Sequence, residues 1–331
     1  MKEIILDAHF DVLLDVLHFR KKGESKVLET RHLPALRTAG INVLVCSIFI
    51  SDRFLPEMAL RNALDQISAL KEDIAESPDH FELCLNASRA RAAAAEGKIA
   101  IFLSFEGVEP LGDDILLLRT FYDLGVRLVG LTWSRRNAAG DGSYFSAENA
   151  PKTEGGLTKF GRDVVRGAQA LGMVIDVSHL NDTGFWEVAN LAEGPFIASH
   201  SNCRALCGVP RNLTDDQIRA IAKSGGVVGM NCYAPFSAGA PEDRTPDKLL
   251  EHLAYIGNMV GFEHVGLGLD ICDCVQSIES MDAAADEKDL FADHTEALEK
   301  FIIPIRANFS PKTSANLLGE NFMRVLEKVL G

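Results

Sequence analysis

The sequence predicts an α/β fold, a single (β/α)8 TIM-type barrel over residues 1–331 with C-terminal closing helices. Three observations predict it. Eight short apolar runs recur along the chain, helix-like segments separate most of them, and ionisable side chains collect at the C-terminal ends of the runs. Strand–helix alternation argues for a parallel sheet. Eight strands across about 270 residues match the size of such a barrel.

The runs are IILDAH (4–9), INVLVCSIF (41–49), IAIFLSFE (99–106), VRLVGLTW (126–133), MVIDVSH (173–179), PFIASH (195–200), GVVGMNCY (226–233) and HVGLGLD (264–270). Most are continuously apolar rather than alternating, as strands buried on both faces are. Helices are expected over 57–76, 87–97, 111–124, 158–171, 182–192, 214–223 and 247–260. Asn86 or Ser88 serves as a cap for the second of these, and Gly97 ends it. Thr214 with Gln217 three residues on reads as a capping box. Thr245 precedes Pro246 at a first helical position. The tail from Ser310, with Pro311 in its first turn, reads as one or two closing helices, and 272–292 as a long loop. The rival fold is an open doubly wound sheet. It calls for a Gly-rich phosphate loop after the first strand, but HFDVLLDV stands there.

Bulk composition narrows the function. With 47 acidic against 33 basic residues the net charge is −14, a field that repels phosphates. Nucleic acid and anionic membranes are therefore not expected partners. Seven cysteines, an odd number without a CxxC pair, do not make a disulfide framework and suit a reducing compartment. No apolar stretch reaches the ~18 residues of a membrane span, and no leader pattern precedes the first strand. A cytoplasmic location is the expectation.

Active sites in such barrels lie at the C-terminal ends of the strands. There the sequence places His9 and Asp11, Glu106, Trp133 with Asn137 just beyond, His179, His200, Tyr233 and Asp270. Residues i and i+2 of a strand share a face, so His9 and Asp11 both aim into the barrel mouth. Imidazole beside carboxylate suits zinc or a similar first-row metal. Glu106 enters from across the mouth and has two oxygens with which to bridge two ions. His179 and His200 complete the second site. Five nitrogen and oxygen ligands exceed what one open tetrahedral zinc takes. They fit two ions ~3.5–4 Å apart sharing a bridging hydroxide. Singly, each residue has a bland explanation as a core histidine, a turn or a helix cap; jointly, their placement at one end of different strands favours the metal site.

These residues sit in longer stretches that resemble the membrane (renal-type) dipeptidase family of zinc peptidases. The stretches are LDAHFD, RHLPALRTAGINV (31–43), FEGVEPL (105–111), LGVRLVGLTWSRRNAAGDG (124–142), the segment from Gly156 to Asn231, HVGLGLD and GENFMRVLEKV (319–329). The resemblance implies that His9 and Asp11 bind one zinc, that His179 and His200 bind the other, and that Glu106 bridges them. It implies that Asp270 is the acid/base and that Arg211, in VPRN, holds the substrate's C-terminal carboxylate. It also implies a free dipeptide substrate, often with a D-residue at the C-terminal position, and a homodimer. Two departures stand out. Trp133 occupies a position where the family often has a substrate-contacting histidine, and DICDC (270–274) replaces DFDG. Trp133, Asn137 and Tyr233 are candidate substrate contacts. A second reading, motivated by the two departures, is an amidohydrolase of the same scaffold acting on another amide or a lactam. A third, a barrel that only binds, is disfavoured because every expected ligand is present.

Overall fold

The computed structural model describes residues 3–145, 155–279 and 288–331. Its strands are β1 (Leu6–Phe10), β2 (Val43–Phe49), β3 (Phe81–Leu83), β4 (Ile99–Glu106), β5 (Val126–Gly130), β6 (Val174–Asp176), β7 (Val228–Met230) and β8 (Val265–Leu267). All their pairings are parallel, in the order β6-β5-β4-β2-β1-β8-β7. Bridges from Asp176 to Ile197 and from Ala198 to Val228 close the ring. The eight staves of the barrel are the eight apolar runs. Strand β3 is extra and was not expected. It pairs with Ile99–Ile101, below the part of β4 that takes β5.

The stave at 195–200 is held by bridges instead of the regular ladder expected there. The Asp176 carboxylate accepts the backbone N–H of Ser178 and of Ser199, at 3.0 and 2.9 Å, so side chain replaces main chain as partner. The stave also lies very close to its neighbours. A Cβ on Gly229 or Gly268 would sit 1.9 or 1.7 Å from the Ser199 carbonyl oxygen, so only glycine admits this approach.

Helices follow the staves. After β1 come α1 (Val12–Lys21) and α2 (Leu33–Ala39), neither of which was predicted. Then follow α3 (Ala59–Glu76), α4 (Ala87–Ala95), α5 (Leu116–Leu124), α6 (Lys159–Ala170), α7 (Asp182–Leu191), α8 (Asp215–Ser224) and α9 (Pro246–Val260). Their caps follow the sequence signals. Asn86 accepts from the Arg89 N–H, both halves of the Thr214–Gln217 capping box form, and Thr245 accepts from the Lys248 N–H. The expected loop at 272–292 contains α10 (Gln276–Glu279); residues 280–287 lie outside the described segments. Helices α11 (His294–Ala297) and α12 (Ile303–Asn308) were not anticipated. The expected tail divides into α13 (Pro311–Ala315), capped by Ser310, and α14 (Asn321–Leu330). Among the described residues no helix is long and apolar enough to cross a membrane.

Alternation along the strands sorts the core into two layers. Leu6, Val43, Val45, Ala100, Phe102 and Val174 share an inner cluster with α4 and α14. Leu44, Cys46, Ile101, Leu103 and Ile175 face the surrounding helices. Helix α14 and the turn before it seal the N-terminal end of the barrel. A Cβ on Gly319 would come within 2.5 Å of the Ile4 carbonyl oxygen, and Phe322 packs over Gly266.

Candidate active site

The other end of the barrel is polar. On β2 and β4 the inward parity that buries Val43, Val45, Ala100 and Phe102 continues to Ser47, Ser104 and Glu106. On β1 a register shift falls between Asp7 and Phe10, which leaves Phe10 opposite Cys46. Phe10 thus joins the outer layer, and His9 turns inward beside Glu106. Asp11 has left the strand and precedes α1 with φ −80° and ψ 24°. His9 and Asp11 therefore converge through a bulge and a helix start, not through strand alternation as expected. His179 and Asp270 lie three residues beyond the named ends of β6 and β8, and both are left-handed, with φ of 67° and 55°. Such backbone costs ~1–3 kcal/mol and collects at functional sites.

The expected ligands meet in one buried cluster. His9 Nε2 lies 3.7 Å from Asp11 Oδ1, 3.5 Å from Glu106 Oε2 and 3.7 Å from Asp270 Oδ1. Glu106 Oε1 lies 2.9 Å from His179 Nε2 and 3.8 Å from His200 Nε2. The two Nε2 atoms of His179 and His200 are 2.8 Å apart. Glu106 thus presents one oxygen to His9 and the other to the histidine pair. His9 Nε2 and Glu106 Oε2 are buried with no hydrogen-bond partner. Two groups of three donors, His9–Asp11–Glu106 and Glu106–His179–His200, each have ligand atoms within 4.8 Å of one another. Orphaned donors of metal-binding chemistry, facing each other around a shared carboxylate, fit cations.

The surrounding residues support that use. Ser134 Oγ is 2.8 Å from His179 Nδ1, and Ser199 Oγ is 2.7 Å from His200 Nδ1. Ser199 in turn bonds the Asp176 carboxylate, and Ser47 donates to Asp11. Partners on the Nδ1 side turn each Nε2 into the cluster. Asn231 Nδ2 donates to Asp270 Oδ2 at 2.9 Å. None of these supporting residues was foreseen. Asp176 and Ser199 stand in the same apolar runs as His179 and His200, and that polar interruption was the available signal.

The electrostatics follow from burial. Burial opposes charge on His9, but Glu106, Asp270 and Asp11 overcome it and raise the imidazole to about 10. Burial and the Arg211 charge push His179 down to about 3, and burial with His9 pushes His200 down as well. Burial would raise Glu106, yet His9 and His179 hold it low. Asp11 is pushed up by burial and by Glu106. Asp270 is pushed up to about 6, chiefly by burial, with Glu106 adding and His9 and Arg211 opposing. The cluster gathers three carboxylates at one point against a single charged imidazole, His9, with His179 and His200 held neutral, and added positive charge relieves it.

Arg211 is 3% exposed. Its guanidinium donates to His179 Nδ1 at 3.2 Å, to Ser201 Oγ at 2.8 Å and to the His200 carbonyl at 2.9 Å. Among the described residues no carboxylate forms an ion pair with it, and burial pushes it down to about 10. Trp133 and Tyr233 stand at the rim in an aromatic row, with the Trp133 ring 6.0 Å from that of His179. Asn137 is placed apart from the cluster. Its amide donates to the Leu131 carbonyl and accepts from the N–H of Ala139 and Gly140, so both ends shape the turn.

Comparison with known proteins takes in the whole chain. The family model described as membrane dipeptidase (peptidase family M19) matches residues 1–330. An uncharacterised protein in the pqqA 5′ region of Klebsiella pneumoniae is 36% identical over 268 residues, 80% of this chain and 94% of that protein. The crystal structure of a metallopeptidase from Rhodobacter sphaeroides, liganded with a phosphinate mimic of the dipeptide L-Ala-D-Ala, superposes with a TM-score of 0.86 at 28% identity. That match covers 99% of this chain and 100% of the other. The structure of dipeptidase AC, an M19 metallopeptidase, gives 0.87 at 29% identity over the whole of both chains. A match from one end of the barrel to the other takes in the fold rather than one motif. The chain belongs to the membrane dipeptidase family, peptidase family M19, as a metal-dependent dipeptidase.

Proposed function

We propose that the enzyme hydrolyses the peptide bond of free dipeptides, L-D dipeptides among them, with two zinc ions in the mouth of the barrel. His9 and Asp11 hold one ion, His179 and His200 the other, and Glu106 spans them. When bound, such ions activate water and polarise the peptide carbonyl. The rest of the reaction belongs to this chain's own residues. Arg211 binds the substrate's C-terminal carboxylate and fixes how far the scissile bond lies from the cluster. Asp270 receives the proton of the attacking water at its carboxylate and returns it to the leaving amine. A carboxyl raised toward neutrality is suited to both steps. Asn231 keeps that carboxylate aimed into the mouth.

The single observation that carries this reading is Arg211. A buried guanidinium with no carboxylate partner is costly, and a substrate carboxylate supplies the missing charge. The phosphinate dipeptide mimic bound by the Rhodobacter relative supports the same substrate class. The test is hydrolysis of L-L and L-D dipeptides beside their C-terminal amides, with and without chelator. Free dipeptides are cleaved and amides lose about 100-fold in kcat/KM, the cost of removing one partner of a buried charge pair. Equal rates on acids and amides would sink the reading.

A further inference from the structure

Beside the metal-type cluster stands a continuous row of aromatic rings. Phe49 meets Trp133 edge-on at 5.3 Å, Trp133 meets Phe145 at 5.5 Å, and Phe145 meets Phe236 at 5.2 Å and Tyr233 at 5.9 Å. These residues come from four separate stretches of the chain, so the row is made only by the fold. Phe236 is buried, whereas Phe49, Trp133, Phe145 and Tyr233 are each partly open to solvent. Apolar surface left in contact with water at the mouth of a site is surface that a ligand can cover.

The row is held from behind. The Arg135 guanidinium lies 5.1 Å from the Trp133 ring centre and 5.5 Å from that of Phe49. It is fixed in turn by Glu109 at 2.9 Å, Asp52 at 3.0 Å and the Ile50 carbonyl at 2.7 Å. A ring pinned by a guanidinium with three partners keeps its place when the substrate enters, which is what discrimination by shape requires.

The far end of the row adjoins the proposed carboxylate clamp. The Arg211 guanidinium carbon is 5.7 Å from the Phe236 ring centre. The ring of Phe145 lies 6.5 Å, and that of Trp133 6.0 Å, from the ring of His179. In a dipeptide the carboxylate, the peptide nitrogen and the side chain of the C-terminal residue all leave one carbon. If Arg211 fixes the first and the cluster the second, the side chain has little freedom left. The row borders both anchors, Arg211 through Phe236 and His179 through Trp133 and Phe145.

We infer that this aromatic row is the pocket for the side chain of the substrate's C-terminal residue, and that it selects dipeptides ending in a large apolar residue, with Phe145 and Trp133 as the specificity-determining contacts. The inference rests on the dipeptidase reading and goes further, since that reading predicts cleavage without any preference at this position. Covering a leucine or phenylalanine side chain favours it over glycine by roughly ten- to a hundredfold in kcat/KM.

The experiment uses the zinc-loaded enzyme and a series of alanyl dipeptides ending in Gly, Ala, Asp, Leu or Phe, each with the last residue in L and in D form. In the better-accepted stereochemical series, Leu and Phe exceed Gly by at least about tenfold and Asp is the poorest. In Phe145→Ala and in Trp133→Ala the Leu-to-Gly ratio falls toward one, whereas Phe145→Leu keeps most of it. A Leu-to-Gly ratio near one in the parent enzyme, or a ratio untouched by either alanine variant, overturns the inference and leaves the dipeptidase reading standing. No cleavage of any member of the series, with two zinc ions bound, overturns both.

Discussion

The two ends of the barrel are built from the same staves and could hardly differ more. At the N-terminal floor the inner residues are Ile4, Leu6, Val43, Ala100, Phe102 and Phe322, all buried and apolar. The charges there lie outside, in exposed or half-buried pairs such as Arg91 with Glu320 and Glu327 and Arg89 with Glu82 and Glu96. At the C-terminal mouth the inner residues are His9, Glu106, His179 and His200, buried beside Arg211, with His9 Nε2 and Glu106 Oε2 left without hydrogen-bond partners. The floor satisfies every rule of a stable core. The mouth breaks several of them at once, with like charges in contact, orphaned donors and left-handed backbone at His179 and Asp270. Stability is gathered at one end, and the chemistry that opposes stability at the other.

That division can be broken deliberately. The largest effect is expected in the mouth. Glu106→Gln removes the carboxylate that both groups of donors share, and activity falls by at least about 100-fold, since even supporting residues of metal sites are worth 10–100-fold. The metal-free protein's thermal midpoint moves far less than after a core truncation, because loss of the ion pair with His9 destabilises while Asp11 and Asp270, which Glu106 pushes up, are relieved. Calorimetry of the chelated variant beside an activity assay reads both. A fall in the metal-free midpoint comparable with that of a core truncation would blur the division.

The converse belongs to the floor. Phe322→Ala deletes a ring packed on Gly266 and costs about 3–5 kcal/mol of stability, seen as a lower denaturant midpoint. At a temperature where the variant is folded, kcat/KM is unchanged within about twofold. A large loss of turnover in the folded variant would show that the ends are coupled.

The acid limb of activity sharpens the comparison next. A carboxyl that must accept a proton works only when ionised. In the metal-free protein Asp270 is held up at about 6, and bound cations draw it lower. Activity is therefore present above that value and is lost as pH falls through the Asp270 pKa, so the limb lies at or below about 6. A kcat/KM profile in the zinc-loaded enzyme measures it, and a limb well above pH 7 would assign the step to another group. The smallest effect is expected from Arg91→Ala on the floor's outer surface. It changes stability by no more than about 1 kcal/mol and leaves turnover alone.

The same contrast explains what the sequence disclosed. The staves were legible because continuous apolar runs have one use in a protein of this size, and all eight runs became staves. The ligand set was legible because histidines and carboxylates stood out against those runs. Other features depend on contacts distant in the chain. The stave at 195–200 gave up a regular ladder because Asp176 takes the Ser199 N–H and Ser178 Oγ takes that of His200, and β3 forms only where FEL meets the start of β4. His9 faces inward through a bulge that no local pattern marks. Ser134, Ser199 and Asn231 are ordinary polar residues until the fold sets them against His179, His200 and Asp270. Arg211 in VPRN reads as an Arg in a polar loop, and only resemblance singles it out. Its burial beside two histidines gives it physical meaning.

The most direct test of the central claim, that the mouth is a site for two cations serving one reaction, is a zinc titration of the chelated protein followed by both elemental analysis and hydrolysis of a free dipeptide. The account predicts that bound zinc saturates at two per chain and that activity rises with it to the same end point. Full activity in the chelated protein, or saturation with no ion held in Glu106-dependent fashion, would contradict it.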